Sequence, residues 1–306
     1  MTTQTQPRVR DLIGELEDLW ACLDTLLDGL AARDWGRRHG KDWTFADLPY
    51  HLAYFDRELI AEAIVRGPDV PVGERRTLRT MAELNAWNAE RFAQRPARQT
   101  AAESLAAMRA SRDLVRRAVA PLSDGDLSRP VWCPLPGQGW LTTGAALAMC
   151  TGHTWSHLQE ARLRLGRTAP VPGAGATHRA LGALTGAMPA MFDRAVATKV
   201  GQFAAVLSFS GPGGGDWTIR VANGACVVSE GGDVSADLIL TQRPEGLVKT
   251  MTGMQNPMLA LLTGQLRVRG FGKLGAFGKL FPPPQPGTVF VTPATDLPQP
   301  LPRPLH

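Results

Sequence analysis

The spacing of apolar residues changes near residue 170, and this change limits what the chain can fold into. Before it, leucines recur every three or four positions, as in Leu12, Leu16, Leu19 and Leu23, which is the period of a helix with one buried face. After residue 200, short β-rich runs alternate with Gly or Asn-Gly turns. A chain of 306 residues is also long enough for two domains.

The first half of the chain is predicted to be all-α. Helical periodicity covers five stretches, at residues 9–34, 44–66, 80–94, 101–120 and 142–166. Thr44 is expected to open the second helix, while Pro121 and Gly166 follow the fourth and end the fifth. We therefore predict an antiparallel bundle of four or five helices over residues 1–169, with one long loop before the last helix.

The second half is predicted to be an α+β domain. After a helix at about 178–197, four β-rich runs follow, with a hairpin turn at Asn223-Gly224. We expect one antiparallel sheet with helices on one face, over residues 178–281. Pro and Gly cluster at 170–177, the predicted linker, and the Pro-rich tail at 282–306 should be extended and solvated or draped over a domain.

Composition argues against several classes of protein. Thirty-three basic and 28 acidic residues leave a net charge of +5. Spread over two domains, this charge is too small for the concentrated basic surface that a nucleic-acid binder needs. No apolar run reaches the roughly 18–20 residues of a membrane span, and the N-terminus lacks the apolar core of a secretory signal. The four cysteines are far apart and read as reduced thiols, so we expect a cytoplasmic protein.

Three histidines are the candidate metal ligands. His153 and His157 are four residues apart on a predicted helix, so both imidazoles point the same way, and His51 lies in another predicted helix. Three neutral imidazoles leave a coordination position open for water or substrate, as in catalytic zinc sites; iron, nickel or manganese would also fit. Two surface histidines and one hydrogen-bonded core histidine would explain the same residues.

Three carboxylates are candidates to hold a ligand histidine in one tautomer, or to act as a general base. They are Asp47, Asp56 and Glu160. Asp47 precedes His51 by one turn, although helix capping explains its position equally well.

Five residues near these histidines are candidates to line a pocket. Four tryptophans could form its apolar walls, and Cys150 precedes His153 by three residues. Core packing is the alternative explanation for the aromatic residues, and a buried core thiol is the alternative for the cysteine. The tryptophans concerned are Trp43, Trp132, Trp140 and Trp155.

The segment from Gly40 to Leu52 resembles the signature of DinB-like metal-binding bundles. In that family a tryptophan and a helix N-cap precede the first ligand histidine, as Trp43 and Thr44 precede His51 here. The downstream HxxxH of His153 and His157 matches the second ligand helix. The resemblance covers about residues 1–170 and implies one divalent metal ion, foremost zinc, bound by these three histidines.

The second half resembles the sterol-carrier-protein type two fold. The resemblance lies in Ala236–Leu240, Asn256–Gly264 and Leu266–Gly270, and it implies an apolar ligand in this domain. The same order of domains occurs in mycothiol-dependent maleylpyruvate isomerases, which carry a glutamate where this chain has His153.

Taken together, the two resemblances imply a metal-dependent enzyme acting on a small organic substrate. The reaction would be a thiol-dependent transfer or isomerisation with a low-molecular-weight thiol as cosubstrate, and the DinB-like bundle implies a homodimer. The alternative is a hydrophobic-ligand or lipid carrier in which the metal only braces the bundle. Fold analogy by itself does not choose between these functions.

Overall fold

The helical first half is built on one long amphipathic helix. The computed structural model describes residues 7–39, 43–75, 77–96, 98–167, 170–283 and 285–290. The helices of this half are α1 (Val9–Asp28), α2 (Ala32–Trp35), α3 (Leu48–Tyr54), α4 (Glu62–Arg66), α5 (Met81–Ala93), α6 (Ala101–Val119) and α7 (Thr143–Leu165). The leucine stripe of α1 is buried, and α1 packs against α7, so the predicted bundle is confirmed.

The second predicted helix begins later than expected and has an irregular centre. Thr44 is not its N-cap, since Thr44 lies in a two-stranded sheet of β1 (Arg38–His39) and β2 (Trp43–Thr44). The Asp47 carboxylate accepts hydrogen bonds from Thr44 N at 2.8 Å and Thr44 Oγ1 at 2.7 Å, which closes a turn before α3. Between α3 and α4 the chain forms a π-helical segment, Phe55–Ala61.

The long loop before α7 contains a hairpin. Its strands are β3 (Pro130–Cys133) and β4 (Gly139–Thr142), paired antiparallel. Thr142 then caps α7, because its side chain accepts a hydrogen bond from Ala145 N. At the other end Gly166 adopts the left-handed conformation, with φ of 61°, and this ends the helix as predicted.

The second half is an α+β domain with a five-stranded sheet. Its helices are α8 (Ala174–Gly186), α9 (Arg194–Val200), α10 (Pro244–Met251), α11 (Pro257–Leu262) and α12 (Leu274–Leu280). Its strands are β5 (Phe203–Phe209), β6 (Gly215–Ala222), β7 (Ala225–Glu230), β8 (Leu238–Gln242) and β9 (Leu266–Arg269), in the order β7-β6-β5-β8-β9. The predicted order of a helical bundle followed by an α+β domain is therefore confirmed.

The sheet is mixed, which corrects the expectation of a purely antiparallel one. Strands β5 and β8 pair parallel, whereas the other three pairs are antiparallel. After the β6–β7 hairpin, residues 231–237 return the chain to the other end of the sheet. Seven extended residues can cover roughly 23 Å, more than the length of a five-residue strand, so β8 can run parallel to β5.

Helix α8 joins the two halves. It begins at Ala174, inside the segment 170–177 predicted as a linker. A Cβ on Gly152 of α7 would lie 3.2 Å from Ala183 Cβ, and one on Gly182 would lie 3.5 Å from the Trp217 indole nitrogen. The absence of side chains at these glycines lets α7 and β6 approach α8 closely, and one buried core runs through both halves.

Part of the Pro-rich tail lies on the bundle. Phe290 N donates to Arg79 O at 2.8 Å, and Ala82 N donates to Pro286 O at 3.0 Å. These contacts hold residues 285–290 against the beginning of α5. Residues 291–306 lie outside the described residues.

Gly270 provides a test of the described sheet. It has φ of +82°, and a Cβ there would lie 2.0 Å from Asp237 O. We expect Gly270→Ala to lower the free energy of unfolding by at least about 2 kcal/mol, measured by urea titration. Gly272→Ala is the matched control, because no atom of the described residues beyond its chain neighbours lies within 4 Å of its Cβ position. Equal stability of the two variants would contradict this backbone arrangement.

Candidate metal centre

Three histidine side chains from two helices converge inside the bundle. His51 comes from α3, while His153 and His157 lie one turn apart on α7. The Nε2 atoms of His51 and His153 are 3.0 Å apart, and one ring nitrogen from each of the three residues lies within 4.8 Å of the others. Two nitrogens bound tetrahedrally at about 2.0–2.1 Å lie about 3.3 Å apart. The residues therefore fit one ion of that size.

The tautomer of His51 is fixed by the buried Tyr54 and by Asn88. The Tyr54 hydroxyl donates to Asn88 Oδ1 at 2.5 Å and lies 2.6 Å from His51 Nδ1. Because the single hydroxyl proton is used on Asn88, Tyr54 accepts the proton of Nδ1. A neutral imidazole has one N–H, so Nε2 of His51 presents its lone pair to the site.

His153 is held by an aromatic ring. Its ring stacks on Phe55, with ring centroids 3.7 Å apart and an interplanar angle of 13°. Phe55 is the first residue of the π-helical segment, a feature frequent at functional sites. Nδ1 of His153 is buried and has no hydrogen-bond partner among the described residues. Such burial costs free energy, which a cation bound at Nε2 would offset.

A fourth histidine, His39, adjoins the site. Nε2 of His39 lies 3.1 Å from Nδ1 of His157 and 3.8 Å from Glu160 Oε2. No role is predicted for it from the sequence, because it lies between the predicted helices at 9–34 and 44–66. In β1 Arg38 is exposed and His39 is buried, but an alternation over two residues is too short to identify a strand in the sequence.

All four imidazoles are neutral at physiological pH. Burial lowers the pKa of His39 and His157 to about 3, and burial first, then the neighbouring imidazoles, lowers the pKa of His51 and His153 well below 6.5. Neutral imidazole is the form that binds metal ions, so the local environment favours the ligand state.

The three predicted carboxylates lie in different surroundings. Asp47 caps the turn before α3 and accepts from Arg95 Nη1 at 2.7 Å. Asp56 is buried beside Cys150, whose Sγ lies 3.5 Å from Asp56 Oδ1. Glu160 alone is placed beside a site imidazole, His39, and its Oε1 accepts from Arg164 Nε at 2.7 Å.

The four tryptophans predicted to line a pocket lie in three different places. Trp43 stands against the site, with its ring 4.4 Å from that of His51. Trp155 is completely buried in the bundle core. Trp132 and Trp140 contact each other edge to face across the β3–β4 hairpin, 5.3 Å between ring centroids.

A polar cavity adjoins the histidines. It has a volume of about 780 Å³, and α5 forms one wall of it. Its lining residues are Trp43, Asp47, Asn85, Asn88, Ala89, Phe92, Arg95, Pro96 and Gln99. Two of its lining residues contact the site: Asn88 accepts a hydrogen bond from Tyr54, the partner of His51, and the ring of Trp43 lies against that of His51.

A helical bundle with converging histidines, followed by a mixed-sheet α+β domain, defines a two-domain protein with a candidate metal centre. Comparison with known families identifies both parts. Residues 15–161 form a domain of the DinB superfamily, and residues 191–281 form a domain of the SCP-2 sterol transfer family. The fusion predicted from the sequence is confirmed.

The similar proteins cover different shares of this chain. Sterol carrier protein 2 from Bos taurus is 35% identical over 74 residues, which are 24% of this chain and 14% of that protein. The crystal structure of the mycothiol-dependent maleylpyruvate isomerase is 15% identical with a TM-score of 0.44, covering 78% of this chain and 87% of the other. The sec-alkylsulfatase Pisa1 from Pseudomonas sp. is 17% identical with a TM-score of 0.27, covering 45% and 24%.

The helices of the described residues are too short or too polar to cross a lipid bilayer.

Asp56 makes stability depend on pH. Burial raises its pKa from 3.8 to about 6, against the opposing effect of Arg112. The folded state therefore binds the proton more tightly than the unfolded state, and this stabilisation is complete below pH 3.8 and lost as the pH rises through about 6.

We expect Asp56→Asn to gain stability relative to the wild type between pH 4 and pH 7, by at most about 3 kcal/mol. The measurement is urea unfolding of both metal-free proteins at each pH. The histidines titrate in both proteins, so their effect cancels in the difference. A stability difference that stays constant with pH would contradict the prediction.

Proposed function

We propose that this protein is a metal-dependent enzyme that acts on a small organic substrate as a thiol-dependent transferase or isomerase. The observation that carries the proposal is the convergence of three neutral imidazoles beside a polar cavity. A purely structural metal site is normally closed by four protein ligands, whereas three ligands leave a position open. Zinc suits this donor set best, and iron, nickel or manganese are the alternatives.

The bound metal would act as a Lewis acid that lowers the pKa of a thiol or water or polarises a carbonyl. The protein side chains hold the ligand histidine His51 in position and line the space beside it. Tyr54 and Asn88 hold His51 in the ligand tautomer. The rings of Trp43 and Phe92, 5.0 Å apart, would form the apolar part of the cavity wall beside His51.

Arg95 is the cationic residue of the cavity. Its Nη1 donates to Asp47, and its Nη2 donates to Gln99 O at 3.2 Å. A guanidinium has five N–H donors, so several remain for a ligand. We propose that Arg95, together with the amide of Asn85, binds the carboxylate or other polar groups of the cosubstrate.

The second domain supports a further role in holding an apolar ligand. Its match to the SCP-2 sterol transfer family is the specific observation behind the second candidate function, a carrier of hydrophobic molecules in which the metal only braces the bundle. The four free thiols are consistent with the proposed cytoplasmic location.

Metal content tests the site directly. Protein purified without a histidine tag should contain about one divalent ion per chain, measured by plasma mass spectrometry, and His51→Ala and His157→Ala should each lose it. His178→Ala is the control and should keep the ion, since His178 contacts Gly214 O and Glu230 in the second domain. A wild-type protein without metal, even after reconstitution, would overturn the proposal.

Removal of the metal distinguishes the proposed enzyme function from the proposed carrier function. Chelation should abolish thiol-dependent turnover of an unsaturated or carbonyl substrate while leaving the helical circular dichroism signal intact, because the core of the bundle is formed by buried apolar residues. Loss of the helical signal on chelation, with a lipid copurifying at near-unit ratio and no turnover, would favour the carrier instead.

A further inference from the structure

We propose that His39 is a positioning residue that accepts the Nδ1 proton of His157 and thereby directs Nε2 of His157 into the metal site. The proposal rests on the proposed binding of a metal ion by His51, His153 and His157. It concerns the one imidazole of the cluster that is not itself among those ligands.

The hairpin before α3 places His39 beside the site. His39 is fully buried, and its ring lies 5.1 Å from that of Phe45 and 5.4 Å from that of His157. In the β1–β2 pairing His39 stands opposite Trp43, whose ring faces His51. One short hairpin therefore supplies both a wall of the site and a partner for His157.

Proton counting decides the role of this partner. A neutral imidazole carries one N–H. If His39 donated its Nε2 proton to Nδ1 of His157, at 3.1 Å, then His157 would hold its own proton on Nε2 and could not bind a metal there. If His157 donates instead, Nε2 of His157 carries a lone pair and the third ligand is complete.

Nε2 of His39 is available to His157, because it forms no hydrogen bond with Glu160. Glu160 Oε2 lies 3.8 Å from His39 Nε2, too far for a hydrogen bond, and the carboxylate is paired with Arg164. In the metal-bound state His39 holds its proton on Nδ1, a buried atom without a hydrogen-bond partner among the described residues. Metal binding thus selects one tautomer for the His39–His157 pair.

His51 provides the parallel within the same site. Its Nδ1 proton is accepted by Tyr54, and that of His157 is accepted by His39. Removing such a supporting partner typically weakens metal binding by about 10–100-fold. Tyr54 offers a phenol oxygen and His39 an imidazole nitrogen, but each leaves Nε2 of its partner histidine free to bind the metal.

The test compares two substitutions of His39. His39→Phe keeps an aromatic ring against Phe45 but removes the acceptor, whereas His39→Gln keeps an acceptor oxygen. We expect His39→Phe to weaken zinc binding by about 10–100-fold, with His39→Gln recovering most of it. Affinity is measured by competition with a chelating dye on tag-free protein, and His178→Phe is the matched control for losing a histidine.

Two further measurements separate positioning from a merely structural role. Urea unfolding of the metal-free variants reports any general loss of stability. Long-range proton–nitrogen NMR of the zinc-loaded wild type should show His157 protonated at Nδ1 and bound at Nε2. This second measurement needs no substitution, so it holds even if His39→Phe does not fold.

Each other outcome has a definite meaning. Wild-type affinity in His39→Phe, or His157 protonated at Nε2 in the zinc-loaded protein, overturns the positioning role while the metal centre stands. Binding of two zinc ions per chain by the wild type and of one by His39→Phe would show that His39 is itself a ligand, together with His157 and Glu160. That result would also overturn the positioning role. A wild type that binds no zinc overturns both this inference and the proposed function.

Discussion

The burial of α7 on several sides is the constraint on which the rest of the structure depends. This helix packs against α1, α8, the β3–β4 hairpin and the π-helical segment, so polar side chains on it must find partners inside the protein. His153 and His157 therefore lie where desolvation keeps them uncharged. A neutral histidine buried in this way needs a hydrogen bond or a metal, and the neighbouring elements supply the groups around it.

The energetic consequence is a site whose imidazoles are held in position by neighbouring protein groups. Tyr54 fixes one imidazole and Phe55 stacks on the second, so little conformational freedom is left to lose when an ion enters. The same burial lowers the histidine pKa values, which removes proton competition at neutral pH. The cost is two buried ring nitrogens, on His39 and His153, that have no hydrogen-bond partner among the described residues, and such groups are tolerated where they serve a site.

The sequence predicts those parts of this arrangement that local spacing determines. The i, i+4 separation of His153 and His157 follows from the helix alone, and the leucine stripe of α1 identifies its buried face. The convergence of His51 with them required the family resemblance, because residues 102 positions apart are brought together only by packing. His39 lies in a two-residue strand with no periodicity, and its partner is 118 residues away, so no local pattern reveals it.

The chain that leaves the second domain contacts the start of α5, the helix that forms one wall of the polar cavity. The residues that line the polar cavity all belong to the bundle, and α5, which forms its wall, has no buried side chain of its own. What anchors the start of α5 is the Thr80 cap together with the backbone bonds from residues 285–290. That segment follows α12, which packs on α9 in the second domain. The start of α5, and with it one wall of the cavity, is therefore linked to the α+β domain by backbone hydrogen bonds to the chain segment that follows α12.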